Sequence, residues 1–209
     1  MNRQLGFVAL CGLLCGTALA SIAELRNSWN NPSTQPIDLS SSRMAVVFMT
    51  PDPGRRREAE EMLAQKLGRY GIQAVPAESI LPAKRGGDAT TMRERLADAG
   101  IDTVLIMRVL GEGASLSVSP PPYFLSPQPW EYRSLLQYWG YGWGRVLSPG
   151  YLLTDTAISM ETLLYSLPQD RLLWASRSSS SHRYQIAELT AQLADVVPVQ
   201  MARDGVFKR

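Results

Sequence analysis

The sequence has few of the side chains that most often carry catalysis. It contains one histidine and two cysteines, and the cysteines, Cys11 and Cys15, both lie close to the N-terminus. A chain without cysteine after position 15 forms no disulfide, thiolate zinc site or cysteine nucleophile there. The lone His182 follows a serine run, but there is no Gly-x-Ser-x-Gly elbow and no metal-ligand spacing around it. The sequence therefore predicts a protein that is not an enzyme, with no catalytic residue, no metal and no cofactor.

A strong charge of either sign is also lacking. Lysine and arginine number 21 against 19 aspartate and glutamate, which gives a net charge of +2 with no long run of like charge. So weak a balance does not favour nucleic acid or an acidic membrane surface as a partner. The 45% hydrophobic content and the length of 209 residues are enough for one sizeable core.

The N-terminus carries the clearest signal of cellular location. Arg3 precedes an apolar stretch from Leu5 to Leu19 that is short for a bilayer helix, and Ala18-Leu19-Ala20 has the small-x-small pattern of a cleavage site. We interpret residues 1–20 as a secretory signal peptide and predict a periplasmic protein. A membrane anchor or a buried first helix is the alternative.

A lipid anchor at the outer membrane is a second alternative. Lipoproteins are cleaved before a cysteine that usually follows a small residue, but leucine precedes both Cys11 and Cys15. Ser21 stands where a lipobox ending in Leu19-Ala20 would place the cysteine. Lipidation at Cys15 or Cys11 therefore stays open beside cleavage after Ala20.

The remaining chain predicts a tether followed by a folded domain. Residues 21–42 are polar and contain proline and a serine run, which is typical of a tether, and residues 43–209 are assigned to an α/β domain. Apolar runs and 3.6-residue periodicity predict alternating strands and helices. The segments are a strand over 44–50, a helix over 55–70, a strand over 72–75 parallel to the first, a helix over 89–99 and a strand over 102–107.

A hairpin and a helix complete the predicted domain. Residues 154–178 have the pattern of two strands joined by a turn at 167–171, where Pro168 and Asp170 supply turn chemistry. Residues 185–203 form a helix in which Pro198 predicts a kink or an early end. The fold class is therefore a single α/β domain with a mixed sheet of about five strands, three of them roughly parallel, in the order β-α-β-α-β, antiparallel hairpin, C-terminal helix.

An insert at 118–150 interrupts this order and is predicted to be irregular, because it is rich in proline, glycine and aromatic residues. Tyrosine and tryptophan favour interfaces, so we interpret the insert as a surface that binds an envelope protein or a second copy of the chain. Stacking on an envelope glycan and a structural flap over the sheet are the alternatives. The candidate contact residues are Tyr123, Trp130, Tyr138, Trp139, Tyr141 and Trp143.

The first predicted helix carries two charged clusters. Arg55, Arg56 and Arg57 lie at its N-terminus, where backbone N–H groups and arginines together could bind a small anion. Glu58 and Glu61 share a helical face, as a general acid and base would, but exposed helices commonly carry such pairs. We expect both clusters to be solvated helix surface, with a small-anion receptor as the alternative for the arginines.

With these segments in place, the chain resembles a family of bacterial envelope lipoproteins with no assigned activity. The matching segments are Ser28 to Pro32, MAVVFMTPDPGRRREAEEMLAQKLGRYGIQAVPAESILP, DTVLIMRV and METLLYSLPQDRLLWAS. Family members usually have a clear lipobox cysteine, and this chain differs at Ser21. The segment order is also similar to that of the N-terminal domain of TolB. The resemblance implies an envelope protein and transfers no activity. The aromatic insert and the absence of a catalytic signature predict a non-enzymatic protein that binds or assembles with a partner. An envelope glycan-binding or hydrolytic protein, or a small-anion receptor, is the alternative.

Overall fold

Six strands form one mixed sheet, and four α-helices pack on it. The computed structural model describes residues 24–38, 41–81, 88–113, 133–147, 157–180 and 186–208. The strands are β1 Glu24–Asn30, β2 Arg43–Met49, β3 Gln73–Pro76, β4 Thr103–Gly113, β5 Ala157–Ser166 and β6 Arg171–Ser180. The helices are α1 Pro53–Gly68, α2 Ala89–Asp98, α3 Leu135–Leu147 and α4 Ile186–Arg203, with a short 3-10 helix at Ala77–Ser79.

The strand order across the sheet is β1-β6-β5-β4-β2-β3. Strand β2 is parallel to both β3 and β4, whereas β4–β5, β5–β6 and β6–β1 are antiparallel. The predicted α/β class, the three parallel strands and the C-terminal hairpin are confirmed. The sheet has one strand more than the predicted five because β1 was not expected.

Strand β1 corrects the prediction of a polar tether at 21–42. It pairs with β6 from Glu24 opposite Ser179 to Asn30 opposite Trp174. The following loop is also fixed, since Ile37 forms a parallel bridge with Phe207. An edge strand needs few apolar side chains, so the polar composition of this segment did not predict its pairing.

The two faces of the sheet carry separate hydrophobic cores. Helices α1 and α4 cover one face and α2 and α3 the other, as expected when helices pack on both sides of a partly parallel sheet. Helix α1 begins after Asp52, whose carboxylate accepts hydrogen bonds from the backbone N–H groups of Gly54 and Arg55, with Pro53 at the first helical position.

Helix α3 replaces part of the predicted irregular insert. Its buried positions recur at intervals of three and four: Leu135, Tyr138, Trp139, Gly142 and Trp143. These positions form the buried stripe of an amphipathic helix. The helix was not predicted because it contains three glycines, which have low helix propensity. The remainder of the insert, 118–132 and 148–150, lies outside the described residues.

A glycine and the hairpin turn fix the position of α3. A Cβ atom on Gly142 would lie 2.6 Å from Met49 Sδ, so the absence of a side chain lets the helix approach β2. Asp170, in the turn between β5 and β6 with a φ of 47°, accepts hydrogen bonds from Leu136 N at 3.1 Å and Ser134 Oγ at 2.5 Å. A predicted turn residue therefore also caps a helix from elsewhere in the chain.

The last helix runs without interruption from Ile186 to Arg203. Pro198 lies inside it, so the expectation of an early end near Val197 is wrong. None of the helices in the described ranges has the length and apolar character needed to cross a membrane.

Candidate functional site

The carboxyl ends of β2 and β4 form the position where a sheet of this topology commonly has a ligand site. The chain leaves β2 through α1 to reach β3 on one side, and then passes through α2 to reach β4 on the other. Sheets of this kind commonly bind ligands where the strand order reverses. Here the protein's own side chains occupy the position, in two buried arginine–glutamate pairs that both contact α3.

The first pair joins Arg56 and Glu60 on α1. Arg56 Nε donates to Glu60 Oε1 at 2.8 Å, and both side chains are almost completely buried. The guanidinium also lies over the ring of Trp143, with Cζ 5.5 Å from the ring centroid. Because α1 and α3 cover opposite faces, Arg56 links the two layers beyond the end of β2.

Glu60 satisfies backbone groups that the sheet leaves without a strand partner. Strand β3 is short, and its pairing with β2 ends where Val46 faces Pro76. Beyond that point the N–H of Phe48 donates to Glu60 Oε1 at 3.1 Å, and the N–H of Glu78 donates to Oε2 at 2.7 Å. The Glu60 carboxylate therefore takes the place of missing sheet hydrogen bonds. Burial raises the pKa of Glu60, against the lowering effect of Arg56 and of these N–H groups.

The second pair joins Arg108 on β4 to Glu161 on β5, which face each other in the strand register. Arg108 Nε donates to Glu161 Oε1 at 2.6 Å, and the Tyr138 hydroxyl donates to the same oxygen. Arg108 is 4% exposed and Glu161 1%. Burial, followed by the negative charge of Glu161, raises the pKa of Tyr138 well above its usual value, so its hydroxyl remains protonated at neutral pH.

Aromatic rings of α3 enclose the second arginine as well. The Arg108 Cζ lies 5.7 Å from the ring centroid of Tyr138 and 5.4 Å from that of Tyr141. Glu161 Oε2 is buried without a hydrogen-bond partner among the described residues, and so are Arg56 Nη2 and Trp143 Nε1. The arrangement fixes α3 against the sheet and orients its rings inward.

The described residues contain no group of three or more His, Cys, Asp and Glu side chains able to hold a metal ion. A cavity of about 10 Å³ lies beside the ends of β1 and β6, among residues of the segment 30–37, Leu173, Gly205 and Val206. That volume holds about one water molecule.

The two edges of the sheet differ in a way that bears on binding. The β3 edge is four residues long, ends in Pro76, and is continued by the Glu60 carboxylate. Short strands and proline are common protection against pairing with other chains. The β1 edge is seven residues long and contains no proline, although a bulge between Leu25 and Asn27 interrupts its register with β6. Among the described residues, no backbone hydrogen bond or strand pairing reaches its outer side.

The C-terminal segment holds β1 in place. Asp204 accepts hydrogen bonds from Trp174 Nε1 at 2.7 Å and from Gln200 Nε2 at 2.8 Å, and its carbonyl accepts from Asn30 Nδ2 at 2.7 Å. After it, the Lys208 N–H donates to the carbonyl of Ile37. We call these contacts of Asp204 the latch. Because the latch joins β1, β6 and α4, the open edge is presented by a fixed strand.

The aromatic surface predicted from the sequence is corrected in part. Tyr138, Trp139 and Trp143 are buried in the core under α3, where their rings pack on β2, β4 and β5, so they are not an open surface for a partner. Tyr141 is half-buried and contacts Arg108. Two further candidates, Tyr123 and Trp130, lie outside the described residues.

The predicted anion site is corrected as well. Arg56 is buried against Glu60, so it does not belong to an exposed arginine cluster. Arg55 and Arg57 are exposed, and Arg57 Nη2 donates to Glu78 Oε1 at 3.0 Å. The Asp52 carboxylate caps the N-terminus of α1.

The other candidates are not brought together. Glu58 and Glu61 are exposed on α1, as expected for solvated helix surface. The remaining candidates, Cys11, Cys15 and His182, lie outside the described residues.

Sequence reasoning missed Glu60, Arg108, Glu161 and Asp204. Arg108 and Glu161 were each detectable as a charge inside a largely apolar strand, but their pairing depends on a register that only the sheet defines. Arg56 and Glu60 have the i, i+4 spacing of an ordinary surface pair. Their burial follows from the shortness of β3, which is a tertiary property.

Comparison with known proteins identifies no family. The sequence matches no protein-family model and no curated protein. A solved PelC dodecamer from Paraburkholderia phytofirmans is 12% identical with a TM-score of 0.47, over 90% of this chain and 99% of the PelC chain. A single-substitution form of that dodecamer is 15% identical with a TM-score of 0.44, over 82% and 94%. Lipoprotein GNA1162 from Neisseria meningitidis is 16% identical with a TM-score of 0.37, over 78% and 96%. These likenesses concern overall shape and identify no activity.

Proposed function

We propose that the protein is an exported, non-enzymatic module of the cell envelope that binds a protein partner by adding a strand to the outer edge of β1. The observation that carries this proposal is the contrast between the closed β3 edge and the open β1 edge. The resemblance to an envelope lipoprotein family and to TolB supports the envelope setting and remains part of the proposal.

The chemistry of a strand edge fits protein binding. An unpaired edge presents a row of backbone N–H and C=O groups, and an extended segment of another protein satisfies them with main-chain hydrogen bonds. Leu25 and Trp29 of β1 pack partly against the two cores of their own domain. Affinity at this edge therefore comes mainly from the backbone, with the latch keeping the strand in place.

The predicted signal peptide supports a partner outside the cytoplasm. The signal-peptide pattern ends at Ala20, and β1 begins at Glu24. Cleavage after Ala20 gives a periplasmic protein, and lipidation at Cys15 or Cys11 gives a membrane-attached one. Under either outcome the binding edge lies a few residues from the start of the mature chain or from the lipid.

The charged groups described above support a binding role over catalysis. The buried acids and bases are bound to one another and to backbone groups. Of the aromatic insert, Tyr123 and Trp130 remain candidate contacts on the evidence of the sequence alone.

Site-specific photocrosslinking in intact cells tests the proposal. A photoreactive amino acid is placed at each position from 24 to 29 in the full chain, and the matched control is Gln73, on the closed β3 edge. We expect alternating positions of β1 to trap a protein while Gln73 traps none. No product at any β1 position, or an equal yield at Gln73, would contradict binding through this edge.

A further inference from the structure

We infer that the strand bound at β1 belongs to a second copy of this chain, and that the two β1 strands pair antiparallel across a twofold axis. This inference rests on the proposed function of the β1 edge and names the partner there.

The backbone of an antiparallel edge is complementary to itself. When two identical strands meet with opposite directions, each alternating N–H and C=O group faces its counterpart, and a twofold axis relates the two copies. Strand β1 has seven residues and no proline, and the pairing has to accommodate the one bulge between Leu25 and Asn27. Two sheets joined in this way form one continuous sheet in which β1 is no longer an edge.

The large apolar side chains of β1 are not available to select a foreign sequence. Its two large apolar side chains, Leu25 and Trp29, pack partly into the cores of their own domain on opposite faces of the sheet. Peptide-binding edges usually add side-chain pockets that choose the partner. Because recognition at β1 relies on the backbone, it favours the strand present at the highest local concentration, and that strand is an identical β1.

The short distance between the signal peptide and β1 strengthens this argument for a membrane-attached form. Eight residues, 16–23, separate Cys15 from Glu24. At full extension they span at most about 30 Å. Copies attached at Cys15 would hold their β1 edges in one thin layer beside the membrane, which raises the effective concentration of each edge for the other.

A single-cysteine scan in cells tests the twofold pairing. The natural cysteines lie only at positions 11 and 15, so one cysteine introduced at each position from 24 to 30 reports on β1, with the unsubstituted full chain as the background. Residues facing each other across an antiparallel pair lie within disulfide reach. We expect disulfide-linked dimers at the axis position alone, because a cysteine two positions away lies four residues along the strand from its own copy, beyond disulfide reach.

Mixing variants then checks the symmetry. Two cysteines placed at equal distances before and after the axis position form dimers when the variants are coexpressed, although each alone forms few. A cysteine at Gln73 of β3 is the matched control and gives no dimer. The sedimentation mass of the purified full-length protein is expected to be twice that of one chain.

The outcomes separate this inference from the proposed function. Dimers of the expected pattern support both. A monomeric mass and no cysteine dimer, together with photocrosslinks from β1 to a different protein, would overturn the second copy while leaving the function intact. Absence of both products would overturn the inference and the function together. A dimer whose crosslinks map to Gln73 would contradict pairing through β1.

Discussion

Two buried arginine–glutamate pairs of the same chemistry have different functions in the fold. Glu60 uses both oxygens for backbone N–H groups, those of Phe48 and Glu78, and holds Arg56 in addition. Glu161 directs one oxygen to side chains of Arg108 and Tyr138, and the other has no partner among the described residues. The Glu60 pair therefore completes the sheet, whereas the Glu161 pair positions a helix.

This difference shows that burial of a charge does not by itself indicate a reactive site. A buried ion pair is costly to desolvate and is retained only where hydrogen bonds satisfy it. At Glu60 the donors are backbone N–H groups that the short strand β3 leaves unpaired. At Glu161 one donor is the hydroxyl of Tyr138 on α3. Helix α3 contacts both pairs, through Trp143 at Arg56 and through Tyr138 and Tyr141 at Arg108.

The same substitution in the two pairs should have unequal effects. We expect Glu60→Gln to lower the free energy of unfolding by about 3–5 kcal/mol, because an amide NH₂ would face a backbone N–H and Arg56 would lose its counter-charge. Glu161→Gln also removes the counter-charge of a buried arginine, Arg108, but it should cost about 1–3 kcal/mol less than Glu60→Gln. The amide oxygen still accepts from Arg108 and Tyr138, and the NH₂ replaces an oxygen that has no partner among the described residues. Urea unfolding of both variants measures the difference, and equal costs would show that the two carboxylates have the same role.

Two glycines on α3 sharpen the comparison by changing the helix that contacts both pairs. Alanine at Gly140 or Gly142 gains the same helix propensity, up to about 1 kcal/mol. A Cβ on Gly140 meets nothing within 4 Å, whereas one on Gly142 meets Met49 Sδ at 2.6 Å. We expect Gly140→Ala to be neutral or stabilising, and Gly142→Ala to be less stable than Gly140→Ala by about 1–3 kcal/mol.

Thermal unfolding of the two glycine variants isolates the steric term, because their propensity gains cancel. Equal stability would mean that the Met49 side chain moves aside without cost and that α3 does not depend on this close approach.

The raised pKa of Glu60 gives the smallest expected effect. The unfolded carboxyl titrates near its ordinary pKa of about 4.3, and the folded one titrates higher because of burial. The folded state therefore holds the proton more tightly, and this contribution to stability is present below the unfolded pKa and is lost as pH rises through the folded pKa. The stability advantage of wild type over Glu60→Gln should shrink with rising pH, by at most about 1.4 kcal/mol per pH unit.

Urea unfolding of wild type and Glu60→Gln across the acid-to-neutral range measures this term. An advantage that grows with pH would reverse the sign and contradict the raised pKa.

The regular elements with local signals were predictable. Each of these elements has a pattern contained in a few neighbouring positions: the apolar run of β2, the periodicity of α1, and the turn residues Pro168 and Asp170. The parallel relation of β2 and β3 follows from the helix between them. These features account for the α/β class and the hairpin.

Elements that depend on distant partners were not predictable. Strand β1 has almost no apolar alternation and forms because β6 offers an edge and the latch holds it. Helix α3 has a clear buried stripe, but Gly140, Gly142 and Gly144 weigh against a helix on propensity alone. The aromatic residues were recognised as unusual, and their burial depended on the close approach that Gly142 allows.

The hydrogen bond between Asn30 and Asp204 joins positions 174 apart in the chain. Synthesis proceeds from the amino end, so β1 exists long before the residues that fasten it. A product truncated before Asp204 lacks the latch, and β6 alone holds its first strand. Strand β1 therefore takes its final position only after both β6 and α4 have been made.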